Sequence, residues 1–202
     1  MVKKTSKLSN DTLLYQAAKE AQDFFEGNGW KFAFIGGLSL LRWGHIRTTQ
    51  DVDGTLLTLF ENEERYIDEV FTQFQPRYPN AREFALQNRV LLLKASNGVG
   101  IDFSLGGLPF EQQLIERSSY YEFDVNYVLR TCSAEDLIIS KSFAARDKDW
   151  GDVRSILQRQ KGKLDTDYIL SHLQILCGWK EAPEIVEKYK AMIYLEYSGE
   201  VV

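Results

Sequence analysis

A short apolar run rich in aromatic residues, residues 30–35, ends abruptly at two glycines, Gly36 and Gly37. An apolar run of this length before a turn signal is typical of a buried strand. Residues 38–43 then have helical spacing, and residues 51–58 form a second strand-like run. The succession of strand, glycine turn, short helix and strand predicts an α/β fold, here of the α+β type, with a small mixed sheet flanked by helices.

The rest of the N-terminal pattern alternates helices and strands. Further helices are predicted up to Gly27 and over residues 61–74 and 110–117. Pro76 and Pro79 mark a loop, and residues 122–129 are read as one further strand or extended segment. Residues 89–95 and 99–105 flank Ser96-Asn97-Gly98, and because Asn-Gly favours a tight turn these two strands are predicted to be antiparallel neighbours.

The C-terminal part is predicted to be helical. Ser133 and Asp136 resemble a capping box with Asp in place of Glu. Further helices are predicted over residues 150–160, from Asp165 or Thr166 to Cys177, and from Pro183 onward. We therefore expect an α/β core in residues 1–125 and a helical region in residues 126–202 that packs on it.

Charge and composition narrow the possible functions. The net charge is −5, which argues against a general nucleic-acid binder. The charge is uneven, since residues 140–163 carry seven basic and three acidic side chains, and this favours phosphate binding at one place. No apolar run approaches the roughly 20 residues of a membrane span, and the N-terminus has no signal-peptide core. A cytoplasmic protein without a membrane partner is expected.

The cysteines and histidines give no strong signal. Cys132 and Cys177 are far apart and lack a CxxC spacing, so they are interpreted as reduced, packed thiols. With His45 and His172 they are too few for a zinc site. His45 is interpreted as structural.

Three aspartates carry the chemical argument. Asp51 and Asp53 are two residues apart on one predicted strand, so both point to the same face. Asp102 interrupts an apolar strand between Ile101 and Phe103. Three carboxylates from two strands would suit a pair of Mg²⁺ or Mn²⁺ ions. Taken singly, Asp51 and Asp53 could lie at a solvated strand end, and Asp102 could be a hydrogen-bonded edge residue.

The glycine pair is a second element of the pattern. Glycines between a strand and a helix allow close approach of a ligand, and the N-terminus of a helix attracts phosphate. The Ser39 hydroxyl could add a contact. A plain turn would explain Gly36 and Gly37 equally well.

The order of these elements resembles the signature of the nucleotidyltransferase superfamily, which has a polymerase-beta-like fold. Residues 34–53 contain the strand, the Gly-Gly turn, the short helix and an Arg-x-Thr-x-Asp-x-Asp run, and Asp102 matches the third carboxylate. Residues 133–141 and 144–153 look like the branch of AbiEii-type abortive-infection toxins. The resemblance covers roughly residues 30–160. It departs at Gly37, where many members have serine, and at Gly54, where a bulky apolar residue is common.

The resemblance implies roles for individual residues. Asp51 and Asp53 would bind metal, and Asp102 would bind metal or deprotonate the acceptor. Gly36, Gly37 and Ser39 would contact the triphosphate, and Lys141 and Asp149 would complete the active site, with Lys141 also neutralising phosphate. Without the resemblance, Lys141 would be read as a surface lysine and Asp149 as a helix cap. Arg47 would either pair with a carboxylate or reach a phosphate.

The expected activity is metal-dependent transfer of a nucleoside monophosphate from a nucleoside triphosphate (NTP) to a hydroxyl, with release of pyrophosphate. The toxin resemblance implies a tRNA acceptor and a cognate antitoxin. A small-molecule acceptor of the antibiotic type, and a nucleotide-binding or partner-binding module without turnover, are the alternatives. Charge does not separate the acceptors, because the acidic chain favours a small molecule and the basic segment favours RNA.

Overall fold

Within residues 10–45 and 48–198, which a computed structural model of the chain describes, seven strands form one mixed sheet. The strands are β1 (Phe32–Phe34), β2 (Asp51–Leu57), β3 (Gln75–Pro76), β4 (Val90–Lys94), β5 (Gly100–Gly106), β6 (Ser119–Asp124) and β7 (Tyr127–Thr131). The helices are α1 (Asn10–Gly27), α2 (Gly36–Trp43), α3 (Glu63–Gln73), α4 (Ala81–Asn88), α5 (Pro109–Glu116), α6 (Ala134–Ala144), α7 (Asp147–Arg159), α8 (Thr166–Lys180) and α9 (Pro183–Ser198). The predicted fold class is confirmed. None of these helices is long and apolar enough to cross a membrane.

The strand order β3-β4-β5-β2-β1-β7-β6 places the two aspartate-bearing strands at the centre of the sheet. β2 and β5 are parallel, and β1 pairs with β2 in the antiparallel sense. β7 pairs with β1 in parallel and with β6 in antiparallel. Because central strands have neighbours on both sides, the backbone of β2 and β5 is held firmly where the site lies.

Each face of the sheet packs against its own helices. On one face an aromatic cluster contains Phe25, Phe32, Phe34 and Phe103, together with apolar residues of α1 and α3. Gly54 makes room for this cluster, since a Cβ there would lie within 2.8 Å of three atoms of the Phe103 ring. The other face packs against α6 to α9. Alternation along β2 therefore buries one set of side chains among aromatics and presents the other set to the C-terminal helices.

Several local predictions are confirmed. β4 and β5 form the predicted hairpin, with Gly98 at a φ of +87°. Ser133 accepts a hydrogen bond from the Asp136 N–H at 3.1 Å and begins α6. Asp165 likewise caps α8 by accepting from the Tyr168 N–H at 2.9 Å.

Two predictions are wrong. The loop marked by Pro76 and Pro79 contains the two-residue strand β3. The helix that follows it, α4, was not predicted, because it buries only Ala85 and so leaves a weak apolar period. Residues 122–129, read as one extended segment, instead span the turn between β6 and β7. Because β7 pairs with β1, the sheet runs on to Thr131 and the helical part begins at Ala134. The expected boundary at residue 125 falls inside that hairpin.

Candidate active site

A cavity of about 540 Å³ lies between the β2–β5 face and the helices α2, α6 and α7. Its lining brings together most of the site residues predicted from the sequence, namely Gly36, Gly37, Asp51, Asp53, Asp102, Lys141 and Asp149. The segment before β2 and the loop between α6 and α7 complete its walls. Residues that are distant in the chain thus line one cavity.

The three aspartates lie on one face of two neighbouring strands. Asp53 and Asp102 are register partners, and Asp51 lies opposite Gly100. Neighbouring strands are only about 4.8 Å apart, so side chains in register on one face lie side by side. Gly100 leaves space for Asp51, since a Cβ on this glycine would lie 3.2 Å from Asp51 Cγ. The β2–β5 register therefore places the three aspartates beside one another on one face of the sheet.

Asp53 lies in the least favourable environment for a charge. Burial raises the pKa of its carboxyl group, and the charges of Asp102 and Asp51 raise it further. The Gly37 N–H, which donates to Asp53 Oδ2 at 3.3 Å, and the Lys141 ammonium act in the opposite direction. Because the pKa remains raised, the charged form of Asp53 lacks sufficient countercharge.

Gly36 and Gly37 are required by the close approach of α2 to β2. Gly36 has a φ of +58°, and a Cβ on it would lie 2.6 Å from Asp53 Cβ and Cγ. A Cβ on Gly37 would lie 2.7 Å from Thr49 Cβ. The first turn of α2 therefore lies directly against the segment that carries the aspartates. In this structure the Gly37 N–H binds Asp53.

Gly36→Ala is expected to destabilise the protein by about 2 kcal/mol or more, because a left-handed residue gains a Cβ and that Cβ clashes with Asp53. Gly29→Ala is the matched control, since Gly29 has a φ of +69° and open space around it. The control should lose only about 1 kcal/mol. Denaturant unfolding measures both values, and equal losses would contradict the predicted clash.

Lys141 and Asp149 lie in a buried ionic cluster that joins α6 to α7. Lys141 Nζ donates to Asp149 Oδ1 at 3.2 Å and to Asp152 Oδ2 at 2.7 Å. Arg146 Nε donates to Asp149 Oδ2 at 2.5 Å. Burial alone would raise the pKa of Asp149, but the Arg146 hydrogen bond and the Lys141 charge lower it below the ordinary value. Lys141 is therefore not a surface lysine, and Asp149 is held ionised.

Ser39, which was predicted to contact the nucleotide, does not line the cavity. The Ser39 side chain is buried, and its Oγ donates to the Phe34 carbonyl oxygen at 2.8 Å. The prediction that Ser39 contacts phosphate is wrong, because the helical turn directs this hydroxyl into the core. Arg47 lies outside the described residues.

Arg77 is a site residue that the sequence did not indicate. It follows β3, and its Nη2 contacts Asp102 Oδ1. Its Nη1 lies 3.1 Å from the position of a Cβ on Gly100, beside Asp51. In residues 10–45 and 48–198 no three Asp, Glu, His or Cys side chains are arranged to hold a metal ion, and Asp102 pairs instead with Arg77. A lone arginine in a proline-marked loop gives no sequence signal.

Arg146 and Asp152 were also missed, although a signal for them exists. Both lie in the segment that carried the family resemblance. Asp149 and Asp152 are three residues apart in α7, so they share one helix face, towards which Lys141 extends.

Comparison with known proteins identifies a family. Residues 12–181 match the profile of a family described as nucleotidyltransferases of unknown function, DUF6036. No curated protein matches the chain in sequence.

The fold is similar to that of a nucleotidyltransferase-like protein of known structure. An antigenic nucleotidyltransferase-like protein from Paracoccidioides brasiliensis superposes with a TM-score of 0.50 at 15% identity, covering 96% of this chain and 100% of the other. The antibiotic-resistance factor ANT(2'')-Ia has a TM-score of 0.47 at 16% identity, covering 94% and 95%. The lincosamide antibiotic adenylyltransferase LnuA has a TM-score of 0.47 at 13% identity, covering 75% and 98%.

Proposed function

The chain belongs to the DUF6036 family of nucleotidyltransferases, and on that premise we propose that it transfers a nucleoside monophosphate from an NTP to an acceptor hydroxyl and releases pyrophosphate. The observation that supports this best is the grouping of Asp51, Asp53 and Asp102 on one face of β2 and β5, beneath a cavity of about 540 Å³. Family membership makes the protein a transferase of phosphorus-containing groups.

Asp51, Asp53 and Asp102 would hold Mg²⁺ or Mn²⁺. Carboxylate oxygens are the ligands that these hard cations prefer. Burial, together with the charges of Asp102 and Asp51, raises the pKa of Asp53, and a bound cation would offset that cost. When bound, such ions neutralise phosphate charge and acidify a bound hydroxyl. Arg77 contacts Asp102 and supplies its countercharge.

The remaining residues bind and orient the reactants. The N-terminus of α2 at Gly36 and Gly37 faces the cavity and favours phosphate, and Arg146 and Lys148 add exposed positive charge on its wall. The acceptor oxygen would attack the α-phosphorus. The bond between the α-phosphorus and the oxygen that bridges the α- and β-phosphates would break, and pyrophosphate would leave. Asp102 is the proposed base for the hydroxyl proton.

Lys141 is better assigned a positioning role than a mobile contact to phosphate. Its ammonium is buried between two carboxylates, and from there it favours the charged form of Asp53. A charge fixed in this way needs no reorganisation during the reaction.

The basic segment at residues 140–163 was an argument for an RNA acceptor. The structure weakens this argument, because several of its basic side chains are engaged within the protein. Lys141 is buried, Arg154 pairs with Glu196 at 3.3 Å, and Lys161 donates to the Glu196 carbonyl oxygen at 2.8 Å. These three side chains are less free to contact RNA phosphates, whereas Arg146 and Lys148 of the same segment are exposed at the cavity. We propose a small-molecule acceptor on this ground, and the tRNA acceptor and the associated antitoxin that the AbiEii resemblance implies are kept as the alternative.

Labelled NTPs test the proposed reaction. The protein, Mn²⁺ and each NTP, labelled on the α- or γ-phosphate, are incubated with total tRNA or with a metabolite pool. Transfer of the α-label alone, with a product heavier by one nucleoside monophosphate, is expected. Transfer of the γ-label would contradict the proposal, and NTP binding without any transfer would instead support a nucleotide-binding module.

Arg77→Met is expected to lower the free energy of unfolding in EDTA by about 1–2 kcal/mol, because Asp102 loses its charged partner. Mn²⁺ should raise the melting temperature of this variant more than that of the wild type, since the ion would replace the missing charge. Thermal unfolding with and without Mn²⁺ measures both effects. Arg82→Met removes an exposed pair with Asp68 and serves as the control. An Arg77→Met variant as stable as the wild type in EDTA would refute this assignment.

A further inference from the structure

A second cavity, of about 170 Å³, adjoins the first on the same face of the sheet. Ile35 and Ser140 line both cavities, so the two share a wall. Most of the lining is apolar, with side chains contributed by Leu108, Phe110, Leu114, Phe143 and Leu176. Glu111 also lines the cavity, and its Oε2 accepts hydrogen bonds from the Gly107 and Leu108 N–H groups. Thr55 and Ser104 are the strand residues that line it.

The strand register fixes the distance between this cavity and the carboxylates. Thr55 pairs with Ser104, and this pair follows directly after the Asp53–Asp102 pair on the same face. Two residues along a strand span about 6.6 Å. The second cavity therefore begins one side-chain pair beyond the aspartates.

The Thr55 hydroxyl makes this cavity more than a packing defect. Thr55 is 2% exposed, and within the described chain its Oγ1 has no hydrogen-bond partner. An unsatisfied buried hydroxyl costs about 1–3 kcal/mol, which valine of the same shape would avoid. A polar atom of a ligand would satisfy this group.

The carboxylates separate this cavity from the region proposed for phosphate. Gly37 lies against Thr49, which precedes Asp51, whereas Thr55 lies beyond Asp53. In an in-line displacement the attacking hydroxyl and the leaving pyrophosphate lie on opposite sides of the α-phosphorus. An acceptor should therefore approach from the Thr55 side.

We propose that the second cavity is the acceptor pocket, and that the acceptor is a small hydroxyl compound with a compact apolar body. The apolar body would lie among Leu108, Phe110 and Phe143, one polar atom would bond to Thr55 Oγ1, and the hydroxyl would reach Asp102. Pockets for drug-sized ligands have volumes of about 300–1,000 Å³. The smaller volume of the second cavity therefore suits a single ring or a branched chain. This inference rests on the proposed nucleotidyl transfer.

2-Phenylethanol is a suitable probe of the pocket, because it joins one apolar ring to a single hydroxyl that can bond to Thr55 Oγ1. It tests occupation of the pocket and does not test the approach of a second hydroxyl to Asp102. Its titration into methyl-labelled protein is expected to shift the NMR signals of Leu108, Leu114 and Thr55. Thr55→Val should weaken its binding about fivefold to tenfold through the loss of one hydrogen bond. Leu108→Trp, at a position that is 37% exposed, should fill the cavity and abolish binding. Neither variant should change the affinity for a fluorescent ATP analogue with Mn²⁺.

Four outcomes decide the proposal. Selective loss of 2-phenylethanol binding in both variants supports it. Unchanged shifts in Leu108→Trp, or no shifts in the wild type, overturn it. Weaker binding of the ATP analogue in both variants also overturns it, because the pocket would then hold the nucleoside. Because probe binding is measured without NTP, a failure of α-label transfer with intact probe binding would count against the proposed reaction alone.

Discussion

Asp53→Asn is expected to lower kcat/KM for nucleotidyl transfer by about 10³-fold or more and, at the same time, to stabilise the metal-free fold. The loss of activity follows because the amide is a poorer ligand for a divalent cation and carries no charge. The gain in stability follows because the wild-type carboxyl group is buried beside Asp102 and Asp51. Misfolding cannot produce this pair of opposite changes.

The stability gain of Asp53→Asn should depend on pH. The pKa of Asp53 is raised in the folded protein. Folded wild type therefore binds more protons than the unfolded chain between the two pKa values, and its stability falls as pH rises through that interval. The advantage of the variant should be absent in acid, where both states are protonated, and complete above the folded pKa.

Urea unfolding in EDTA at several pH values, together with transfer assays in Mn²⁺, measures both effects. Asp68→Asn is the matched control, since Asp68 is exposed on α3 and pairs with Arg82. The control should keep its activity and change stability little, because exposed ion pairs contribute little to folding. A destabilised Asp53→Asn variant would show that the wild-type carboxylate is satisfied within the fold.

Lys141→Met is expected to destabilise the protein by about 3–5 kcal/mol, because it leaves two buried carboxylates without their shared cation. Lys141 is 6% exposed and contacts both Asp149 and Asp152. Transfer activity should fall as well, since the same ammonium favours the charged form of Asp53. Denaturant unfolding measures the first effect, and the α-label assay measures the second.

A double variant separates the two roles of Lys141. Lys141→Met combined with Asp152→Asn removes one carboxylate with the cation and leaves Asp149 its Arg146 partner. Most of the lost stability should return, whereas activity should stay low. Full recovery of activity would show that Lys141 acts only through folding. Lys190→Met, at an exposed pair with Glu187, should change stability by less than about 1 kcal/mol.

The sequence predicted the parts of the fold that depend on local signals. The Asn-Gly turn, the Ser133 cap and the alternation that directs Asp51 and Asp53 to one face are fixed by neighbouring residues. The prediction over residues 122–129 did not separate β7 from β6 or extend the sheet to Thr131. The pairing of β7 with β1 joins residues about 97 positions apart, Phe34 and Thr131, and a single sequence does not encode such a pairing locally.

For the candidate site, too, the sequence predicted individual residues but not their contacts with distant parts of the chain. The positions of Gly36, Gly37, Asp102, Lys141 and Asp149 could be predicted from the family pattern, and the structure brings them to one cavity. The partners of these residues could not be predicted. Arg77 reaches Asp102 from a loop 25 residues away, and Ser39 turns into the core because α2 begins at Gly36.

The most direct test is a crystal structure with Mn²⁺ and a non-hydrolysable ATP analogue, in which anomalous scattering locates the metal. We expect a Mn²⁺ peak at about 2.1 Å from carboxylate oxygens of Asp51 and Asp53. We also expect the α-phosphate at that ion and Arg77 released from Asp102. A nucleotide bound away from these aspartates, or bound there with the Arg77–Asp102 pair intact and no metal peak, would contradict the proposed metal-dependent transfer.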